Sequence, residues 1–393
     1  MKSLKSLNNK ISNKIVIIRL DLNVPILNSK IQDTNRIDKI INTLNYLIKQ
    51  KSKILIVSHV GRPKGMERIE LSLKPICEYL SIKLEKNVKL VSNNLKSLKK
   101  DYLNDIFDNN ILTLENIRFY KEEETNDRNF AKHLANLGDY YVNEAFSCSH
   151  RNHASVSAIT SFIDSYAGFL LEKEINALKK LTTRIDKPLT CIIGGSKIST
   201  KIKIIEHLLP KFDNLIIVGG MANNFFQYRK YQIGKSIYEE DSNKIVKNIL
   251  DLGKKYGCNI YLPEDVKVAY DKNDKGKEKP VSQVTINESI FDIGLQTIKK
   301  IDKILDNSKT VLWNGPAGYF ENPNFLDGSL RIANLISEKT LSGKLYSVIG
   351  GGDTVAVINK DKLFKNYNFV STAGGAFLEY LEGKDLPGIK ALN

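Results

Sequence analysis

The residues best suited to bind anions are distributed unevenly along the chain. Seven of the ten arginines precede residue 155, whereas only four of the 24 glycines fall in the first 170 residues. The planar guanidinium group of arginine binds phosphate and carboxylate through paired hydrogen bonds. Glycine has no side chain, so the backbone N–H groups around it can approach a phosphate closely. The two halves of the chain therefore predict two different kinds of anion site.

In the first half, polar residues follow an apolar run that predicts a strand over 14–20. Alternation along the strand places Arg19, Asp21 and Asn23 on one side. Asp21 and Asn23 can bond the hydroxyl groups of a ligand or orient a neighbouring arginine. An ion-paired strand end without any ligand explains the same residues equally well.

The next predicted strand, 53–58, leads into a loop with several donors, S-H-V-G-R-P-K-G at 58–65. In this setting His59 is more readily explained as part of an anion site than as a structural histidine. Arginines converge on the loops of this domain, and together they predict a small substrate with two negative charges. These arginines are Arg36, Arg62, Arg118 and Arg151.

The glycine-rich loops of the second half each follow a predicted strand. The first, G-G-S-K-I-S-T-K at 194–201, leads into an amphipathic helix. Lys197 and Lys201 are four residues apart, which places both amines on one helical face and within reach of the same polyphosphate. The spacing differs from that of the P-loop, and paired glycines at a helix entry can also serve packing alone.

Four more glycine loops follow strands in the second half. Any one of them is ambiguous, but five such loops in one domain favour a nucleotide site over packing. Glu321 is then expected to accept from ribose hydroxyls, and Asp353 offers a hard oxygen ligand for Mg²⁺. The four loops are V-G-G-M-A at 218–222, W-N-G-P-A-G at 313–318, I-G-G-G-D-T at 349–354 and S-T-A-G-G-A at 371–376.

Short apolar runs alternate with amphipathic, helix-like segments throughout the chain. This pattern predicts parallel sheets with helices on both faces and ligands beyond the carboxyl ends of the strands. We therefore predict an α/β fold of two doubly wound, Rossmann-like parallel-sheet domains joined by a helix, with a cleft between them. Besides 14–20 and 53–58, the predicted strands are 111–115, 140–143, 189–193, 214–218, 258–262, 310–313 and 345–349. The predicted segments are an N-terminal domain at 1–168, an interdomain helix at 169–187 and a C-terminal domain at 188–375.

The composition excludes several classes of protein. With 42% hydrophobic and 26% charged residues, the chain is typical of soluble globular proteins. It has neither an apolar run of membrane-spanning length nor the apolar core of a secretory signal at its start. The four cysteines match no metal or redox spacing, so we expect reduced, buried thiols in a cytoplasmic protein. The net charge of +15 comes mostly from dispersed lysines, which indicates a solvated surface and not a nucleic-acid-binding face.

Taken in order, these motifs resemble those of the phosphoglycerate kinase family along nearly the whole chain. R-L-D-L-N-V-P at 19–25, R-N-H-A-S at 151–155 and G-G-M-A-N at 219–223 carry the resemblance together with the loops quoted above. The resemblance implies reversible transfer of the acyl phosphate of 1,3-bisphosphoglycerate to MgADP, which gives 3-phosphoglycerate and MgATP in glycolysis and gluconeogenesis. We expect direct in-line transfer after the two domains close. The resemblance also implies that a C-terminal tail, 376–393, returns to the N-terminal domain.

The resemblance also assigns roles to individual residues. Those implied to bind the phosphoglycerate are Asp21, Asn23, Arg36, His59, Arg62, Arg118 and Arg151. Those implied to bind the nucleotide are Lys197, Lys201, Gly219, Gly220, Gly294, Asn314, Glu321, Gly351, Gly352, Asp353 and Thr354, with Asp353 as the metal ligand. The residues implied to be catalytic are Arg36, Lys197, Lys201, Gly352 and Gly375. The chain departs from the family's motifs at Ala373, Asn224 and Leu295-Gln296, which bear on nucleotide contacts and not on the reaction.

Two other functions remain as alternatives. One is a small-molecule kinase that acts on a different phosphorylated acid. The other is an inactive scaffold or nucleic-acid binder that uses the positive charge, although such a binder would not need both sets of loops. We expect Mg²⁺ as the cofactor, carried by ADP or ATP, and small-molecule partners without nucleic acid or membrane. The protein is expected to be a monomer.

Overall fold

The computed structural model describes residues 1–393, and the chain divides into two compact units. The first unit contains Met1–Ile175 and Asp385–Asn393, and the second contains Asn176–Lys384. Each unit is built on a six-stranded sheet in which all neighbouring strands are parallel. The prediction of an α/β fold with two doubly wound parallel sheets is confirmed.

The first unit contains strands β1 (Ile15–Arg19), β2 (Ile26–Leu27), β3 (Lys30–Ile31), β4 (Lys53–Val57), β5 (Val88–Val91), β6 (Ile111–Leu114), β7 (Tyr140–Asn143) and β8 (Ser165–Ala167). The sheet order is β5-β6-β4-β1-β7-β8, and β2 and β3 form a separate hairpin. All five residues of the central strand β1 are buried, as its uninterrupted apolar sequence requires of a strand covered on both faces. The order places the carboxyl ends of β6, β4, β1 and β7 side by side.

The helices of the first unit are α1 (Asn35–Lys49), α2 (Lys74–Leu84), α3 (Lys100–Phe107), α4 (Lys121–Glu124) and α5 (Arg128–Ala135), followed by α6 (Phe169–Thr182), which crosses into the second unit. Helix α1 shows why these segments are helical, because Ile37, Ile40, Leu44 and Leu47 recur at three- and four-residue spacing and are all buried. Short 3₁₀ helices cover Leu4–Ile11, Ile69–Leu71, Leu95–Ser97, Ile117–Phe119, Phe146–Cys148 and Ala158–Ser161.

The second unit contains strands β9 (Leu189–Ile193), β10 (Asn214–Ile217), β11 (Asn259–Tyr261), β12 (Asp265–Ala269), β13 (Lys277–Pro280), β14 (Ser289–Ile293), β15 (Thr310–Asn314), β16 (Tyr346–Gly350) and β17 (Phe369–Val370). The parallel sheet has the order β11-β10-β9-β15-β16-β17. The direction of strand succession reverses between β9 and β15, and such a reversal opens a crevice at the carboxyl ends of the two strands.

The helices of the second unit are α7 (Ile202–Leu208), α8 (Gly220–Tyr228), α9 (Asn243–Tyr256), α10 (Leu295–Asp306), α11 (Asp327–Leu341), α12 (Gly352–Lys360) and α13 (Gly375–Leu381). Its 3₁₀ helices cover Leu209–Lys211, Val281–Gln283, Pro323–Phe325 and Leu363–Asn366. No helix in the structure is both long and apolar enough to cross a membrane. All four cysteines are buried and none forms a disulfide.

The last residues of the chain, from Asp385, belong to the first unit, whereas 376–384 belong to the second. Helix α14 (Pro387–Lys390) is anchored there because Gly388 N donates to Ser149 O over 2.9 Å. A side chain on Gly388 would collide with Val156, so glycine permits the close contact.

All nine predicted strands are present, with ends within one residue of the prediction. The strands that were missed in the parallel sheets, β5, β8 and β17, all lie at sheet edges. Strand β5 exposes Lys89, and β8 and β17 have only three and two residues, which is too short for a clear apolar run. A three-stranded antiparallel sheet, β13-β12-β14, was also not predicted. The predicted helix over 169–187 ends earlier, at Thr182, and the residues after it lead the chain into β9.

A buried carboxylate holds the amino end of α6. Glu144 accepts hydrogen bonds from Leu170 N at 3.0 Å, from Leu171 N at 3.1 Å and from the hydroxyl group of Thr43. Burial raises the pKa of Glu144 to about 7, although these three donors favour the charged form. Glu144 therefore stabilises the fold fully below about pH 4.5, and this contribution is lost as the pH rises through 7.

We predict that Glu144→Ala lowers the free energy of unfolding by about 2–4 kcal/mol at pH 4.5, because two helix N–H groups lose their acceptor. The difference from the unmodified protein is expected to shrink between pH 4.5 and pH 8. Urea denaturation at several pH values measures both effects. The matched control is Glu78→Ala on the exposed surface of α2, which should change stability by less than about 0.5 kcal/mol. A pH-independent difference would contradict the role given to Glu144.

Candidate functional site

In the first unit, the loops after β1 and β7 and the start of α1 meet at one edge of the sheet. Arg36 Nη1 lies 2.6 Å from Asp21 Oδ2, and Asp21 also accepts a hydrogen bond from Ser147 Oγ. Because Asp21 is mostly buried, this ion pair fixes the position of the Arg36 guanidinium at the edge. The ion-paired strand end considered from the sequence is thus present, and both of its members are predicted substrate ligands.

The backbone of the loop after β4 is hydrogen-bonded to the side chains of two predicted substrate ligands. Gly61 N donates to Asn23 Oδ1 over 2.9 Å, and Gly61 O accepts from Arg118 Nη1 over 3.0 Å. Gly61 has φ +66, a conformation that glycine adopts readily. Asn116, which was not predicted, donates from Nδ2 to Val60 O over 2.7 Å and so ties the loop to the residues after β6. The loop therefore brings Asn23 and Arg118 together.

Arg118 is a predicted substrate ligand with two unsatisfied hydrogen-bond donors. Its side chain is 1% exposed, and both Nε and Nη2 are buried without a hydrogen-bond acceptor. The nearest carboxylate oxygen, Glu124 Oε1, lies 3.7 Å from Nε, which is beyond hydrogen-bond distance. Burial, together with the neighbouring Arg19 and Arg151, lowers the pKa of Arg118 to about 10. An oxyanion would accept hydrogen bonds from both of these unsatisfied donors and would also neutralise the buried charge.

His59 lies beside Arg118 and is 3% exposed. Burial and the charges of Arg19, Arg118 and Arg151 hold its pKa well below the usual value, so the ring is neutral at physiological pH. Arg151 is half-buried and directs Nε to within 3.4 Å of His150 Nε2.

Arg62 differs from the other predicted substrate ligands. It lies on the exposed side of the loop after β4, whereas Asp21, Asn23, Arg36, His59, Arg118 and Arg151 are buried or half-buried.

One group of side chains in this cluster has the composition of a metal site. The ligand atoms of Asp21, His59 and Cys148 all lie within 4.8 Å of one another. Arg19, however, places Nη2 at 3.1 Å from His59 Nδ1 and at 4.0 Å from Cys148 Sγ. A guanidinium cation in this position repels a divalent cation, so the group is not suited to hold a metal.

In the second unit, three strand-end loops are joined through their backbones. Gly195 N donates to Pro316 O over 3.2 Å, and Gly195 O accepts from Met221 N over 3.0 Å. Side chains on Gly194 or Gly315 would collide with the neighbouring loop. Packing therefore explains these two glycines.

The glycines that face open space need a different explanation. A side chain on Gly195, Gly352 or Gly374 would meet nothing within 4 Å. Gly195 and Gly374 have φ +113 and +51, which favour glycine, but the φ of Gly352 imposes no such constraint. The open space at Gly352, the first residue of α12, leaves the helix N–H groups accessible to an anion.

Beside these loops lies a cavity of about 600 Å³, of the size that binds small molecules. Of the predicted nucleotide ligands, Gly219, Gly220, Glu321 and Asp353 line it. Its other walls are largely apolar and include Phe226, Pro263, Val266, Phe291, Ile293, Pro316 and Ala317. An apolar slot with a carboxylate at its rim suits a flat base attached to a hydroxylated sugar.

Several predicted nucleotide ligands form a network behind the cavity. Lys201 Nζ donates to Asn314 Oδ1 over 2.5 Å, and Asn314 Nδ2 donates to Gly350 O over 2.8 Å. Thr354 Oγ1 accepts from Gly315 N over 2.7 Å. Asn314 is 1% exposed, so it orients Lys201 and does not itself line the cavity. Burial lowers the pKa of Lys201, and Asp353 opposes that shift.

The remaining predicted residues are placed as follows. Helix α7 begins only at Ile202, so the expectation that Lys197 and Lys201 share a helical face is wrong. Lys197 lies in the exposed loop before the helix, because the segment 196–201 forms turns. Gly294 precedes α10 and packs so closely on the carboxylate of Asp265 that a side chain would collide with it. Gly351, with φ +95, precedes α12, and Gly375 is the first residue of α13.

One wall of the cavity was missed from the sequence. Val266 on β12 and Phe291 on β14 belong to the antiparallel sheet, and Tyr270 directly follows β12. The alternation of apolar and polar residues over 265–269 is the signal that could have indicated a half-buried strand there.

Comparison with known proteins identifies relatives of the whole chain. The model of the phosphoglycerate kinase family matches residues 5–384. The phosphoglycerate kinase of Wolbachia pipientis subsp. Culex pipiens is 44% identical over 381 residues, which cover 96% of each chain. The structure of phosphoglycerate kinase from Coxiella burnetii has a TM-score of 0.92 at 40% identity and covers 99% of this chain and 98% of its own. That from Pyrococcus horikoshii has a TM-score of 0.82 at 28% identity and covers 100% and 98%.

We predict that Arg118→Met removes the stabilising effect of a small oxyanion while raising the stability of the ligand-free protein by about 1 kcal/mol, since an incompletely paired buried charge is lost. Thermal unfolding in millimolar sulfate and in chloride, at constant ionic strength, measures both quantities. Arg68→Met, at an exposed arginine, should respond to sulfate as the unmodified protein does. A full sulfate response in Arg118→Met would show that the stranded donors bind no anion.

Proposed function

The chain belongs to the phosphoglycerate kinase family, and from this we propose that its first unit binds the phosphoglycerate while its second unit binds the adenine nucleotide. The enzyme transfers the acyl phosphate of 1,3-bisphosphoglycerate to ADP and forms 3-phosphoglycerate and ATP, reversibly, in glycolysis. The division between units is carried by one observation, the two buried donors of Arg118 that have no acceptor in the protein.

In the first unit, the two ends of the substrate meet different residues. Arg118 and Arg151 supply paired donors to the phosphate, and Arg62 reaches it from the exposed part of its loop. Asp21 and Asn23 face the hydroxyl and carboxyl end. Arg36, positioned by its ion pair with Asp21, is placed to stabilise the transferring phosphoryl group. His59, which is neutral, contributes a hydrogen bond and no charge.

In the second unit, the cavity holds the adenosine and the glycine loops hold the phosphates. Gly219 and Gly220 let the base lie against the backbone, and Glu321 accepts from the ribose hydroxyls. Lys201, Lys197 and the N–H groups around Gly351, Gly352 and Gly375 face the phosphates. Asn314 and Thr354 position these groups from behind, and Gly294 supports the wall at α10.

The residues present fit the Mg²⁺ that accompanies the nucleotide. Asp353 is exposed, lines the cavity and offers a hard carboxylate oxygen of the kind that Mg²⁺ prefers. When bound, Mg²⁺ neutralises part of the phosphate charge and orients the polyphosphate.

The chemistry itself needs no general base. The bond between phosphorus and the acyl oxygen breaks, the carboxylate leaves as an anion, and a bond forms from phosphorus to a β-phosphate oxygen of ADP. The β-phosphate oxygen of ADP attacks in the forward direction and the carboxylate oxygen attacks in the reverse direction. Both oxygens are already ionised, so no proton is transferred. Catalysis therefore consists of in-line positioning and of charge stabilisation by Arg36, Lys197 and Lys201. We propose that the units close around the reactants and exclude water, which would hydrolyse the acyl phosphate.

We also propose that the enzyme acts in the cytoplasm as a monomer whose partners are these small molecules. Four buried cysteines without disulfides suit a reducing compartment. The excess of lysine supplies a positive field that attracts anionic substrates and does not require a nucleic acid or a membrane.

A coupled assay of ATP formation from ADP and 1,3-bisphosphoglycerate tests the function directly. We expect turnover by the unmodified protein and a loss of about a hundredfold or more in Arg36→Ala, because a charge that stabilises the transition state is removed. Lys49→Ala, on the exposed end of the same helix, is the matched control and should keep full turnover. Turnover only with another phosphorylated acid would support a different kinase, and salt-dependent RNA binding without ATP formation would support a binding protein.

Lys201→Ala is predicted to weaken binding of MgATP by about ten- to a hundredfold, since a charge-assisted hydrogen bond to phosphate is lost. The affinity for 3-phosphoglycerate should not change, because that ligand is assigned to the other unit. Titration calorimetry with each ligand separates the two effects. Lys203→Ala removes an exposed lysine of α7, two residues further along the chain, and should bind both ligands normally. Unaltered MgATP affinity in Lys201→Ala would count against the placement of the phosphates.

A further inference from the structure

Behind His59 lies a chain of buried polar side chains that the proposed roles do not use. It runs from Glu123 on α4 through Ser155 and Arg19 to His59, and none of the four residues is more than 3% exposed. The four residues come from four separate segments of the first unit. Buried polar groups are costly unless they are satisfied, so the hydrogen bonds of this chain constrain every member.

The hydrogen bonds at the Glu123 end are all directed from Arg19 and Ser155 towards the carboxylate. A guanidinium group can only donate, so Arg19 Nε donates to Ser155 Oγ over 2.9 Å. Ser155 Oγ donates its own proton to Glu123 Oε1, which lies 2.6 Å away. Burial raises the pKa of Glu123, but the charge of Arg19 and the two bonds from Ser155 favour its ionised form. Glu123 Oε2 accepts a further bond from Ser155 N over 2.8 Å. The carboxylate therefore anchors Ser155 with its hydroxyl lone pair directed at Arg19.

At the other end, Arg19 Nη2 lies 3.1 Å from His59 Nδ1. Since Arg19 has no lone pair to offer, Nδ1 must be the acceptor and must carry no proton. Burial and the surrounding arginines keep the pKa of His59 well below its usual value, and a neutral imidazole carries one proton. That proton is consequently on Nε2.

We infer that Glu123, Ser155 and Arg19 are positioning residues that fix His59 as the neutral tautomer with its proton on Nε2. In this form His59 presents one directed donor and adds no charge to a cluster that already contains several arginines. This inference rests on the proposed function only for the identity of the group that accepts the hydrogen bond from His59 Nε2, which would be an oxygen of the phosphoglycerate. The tautomer is a property of the free protein.

The groups around the chain are compatible with this assignment. His153 Nδ1 lies 3.7 Å from Glu123 Oε1, beyond hydrogen-bond distance, and burial and the nearby arginines lower the pKa of His153 to about 3, so it competes neither as a donor nor as a cation. Cys148 Sγ lies 4.0 Å from Arg19 Nη2, and burial raises the pKa of this thiol, so it stays neutral. Arg19 also donates to Leu20 O, which holds the guanidinium in place from the side of β1.

Long-range proton–nitrogen correlation spectra of histidine-labelled, ligand-free protein at pH 7 test the inference. The protein has five histidines, and the His59 signals are assigned by their absence in the spectrum of His59→Gln. We expect a protonated-nitrogen shift at Nε2 and an unprotonated one at Nδ1. A proton on Nδ1, or on both nitrogens, would overturn the inference whatever the enzyme's activity.

Ser155→Ala tests whether the hydrogen bonds from Glu123 to Arg19 maintain the tautomer of His59. Without the hydroxyl group, Arg19 Nε loses its acceptor, so we expect the His59 signals to move towards exchange between the two tautomers. The KM for 3-phosphoglycerate should rise about tenfold with a smaller change in kcat. Glu122→Gln, which alters the neighbouring surface carboxylate on α4, is the matched control and should leave spectrum and kinetics unchanged. Unchanged His59 signals in Ser155→Ala would overturn the positioning role of the hydrogen-bonded side chains behind His59.

A comparison of His59→Gln with His59→Asn tests the acceptor. The side-chain amide of Gln places a donor near the position of Nε2, whereas that of Asn places it near Nδ1. Gln is therefore expected to retain more affinity for 3-phosphoglycerate than Asn, by about tenfold. Equal losses would overturn the donor role of Nε2. Absence of kinase activity together with an Nε2 proton would refute the proposed function and leave the tautomer assignment intact.

Discussion

A guanidinium group that is taken out of water loses its hydration, and the protein has to replace that hydration with acceptors. At the edge of the first sheet this replacement is only partial. Asp21 pairs with Arg36, whereas Arg118 keeps two buried donors without an acceptor. The first unit thus folds with a buried positive charge on Arg118, and only an anionic ligand supplies acceptors for all of its donors. Burial, together with this concentration of charge, lowers the pKa of both His59 and Arg118.

The second unit meets a different constraint, which is the close approach of backbone segments. Gly194 and Gly315 let two loops touch, and this contact brings Asn314 and Lys201 into one hydrogen-bonded network. Beyond the contact, Gly352 faces open space at the start of α12. The same residue type therefore serves packing at some positions and ligand access at others, and only the three-dimensional surroundings distinguish the two uses.

The sequence predicted what depends on continuous apolar runs and on the chemistry of strand ends. Central strands such as β1 and β9 are buried on both faces, so their composition alone identifies them. The strands that were missed have weak signals, because β5 and β13 expose lysines and because β8 and β17 have only three and two residues. The expected helical pairing of two lysines at the first glycine loop was wrong because turns, and not a helix, occupy that segment.

Positioning residues were the other part that sequence patterns could not supply. Glu123 lies in an acidic run that looks like a solvated helix surface, yet it is fully buried against Ser155. Its partner is 32 residues away in the chain, and no local pattern reports such a contact. Asn116 is similar, because its role appears only when the loop after β4 is seen folded over it.

The claim that arginines in one unit and glycine loops in the other receive separate ligands is tested most directly by hydrogen exchange with one ligand at a time. We expect 3-phosphoglycerate alone to slow backbone exchange in the peptides 58–65, 116–121 and 147–155, and MgADP alone to slow it in 194–201, 218–222 and 349–354. Protection of the second set by 3-phosphoglycerate alone, without protection of the first, would contradict the assignment of that ligand to the arginines of the first unit.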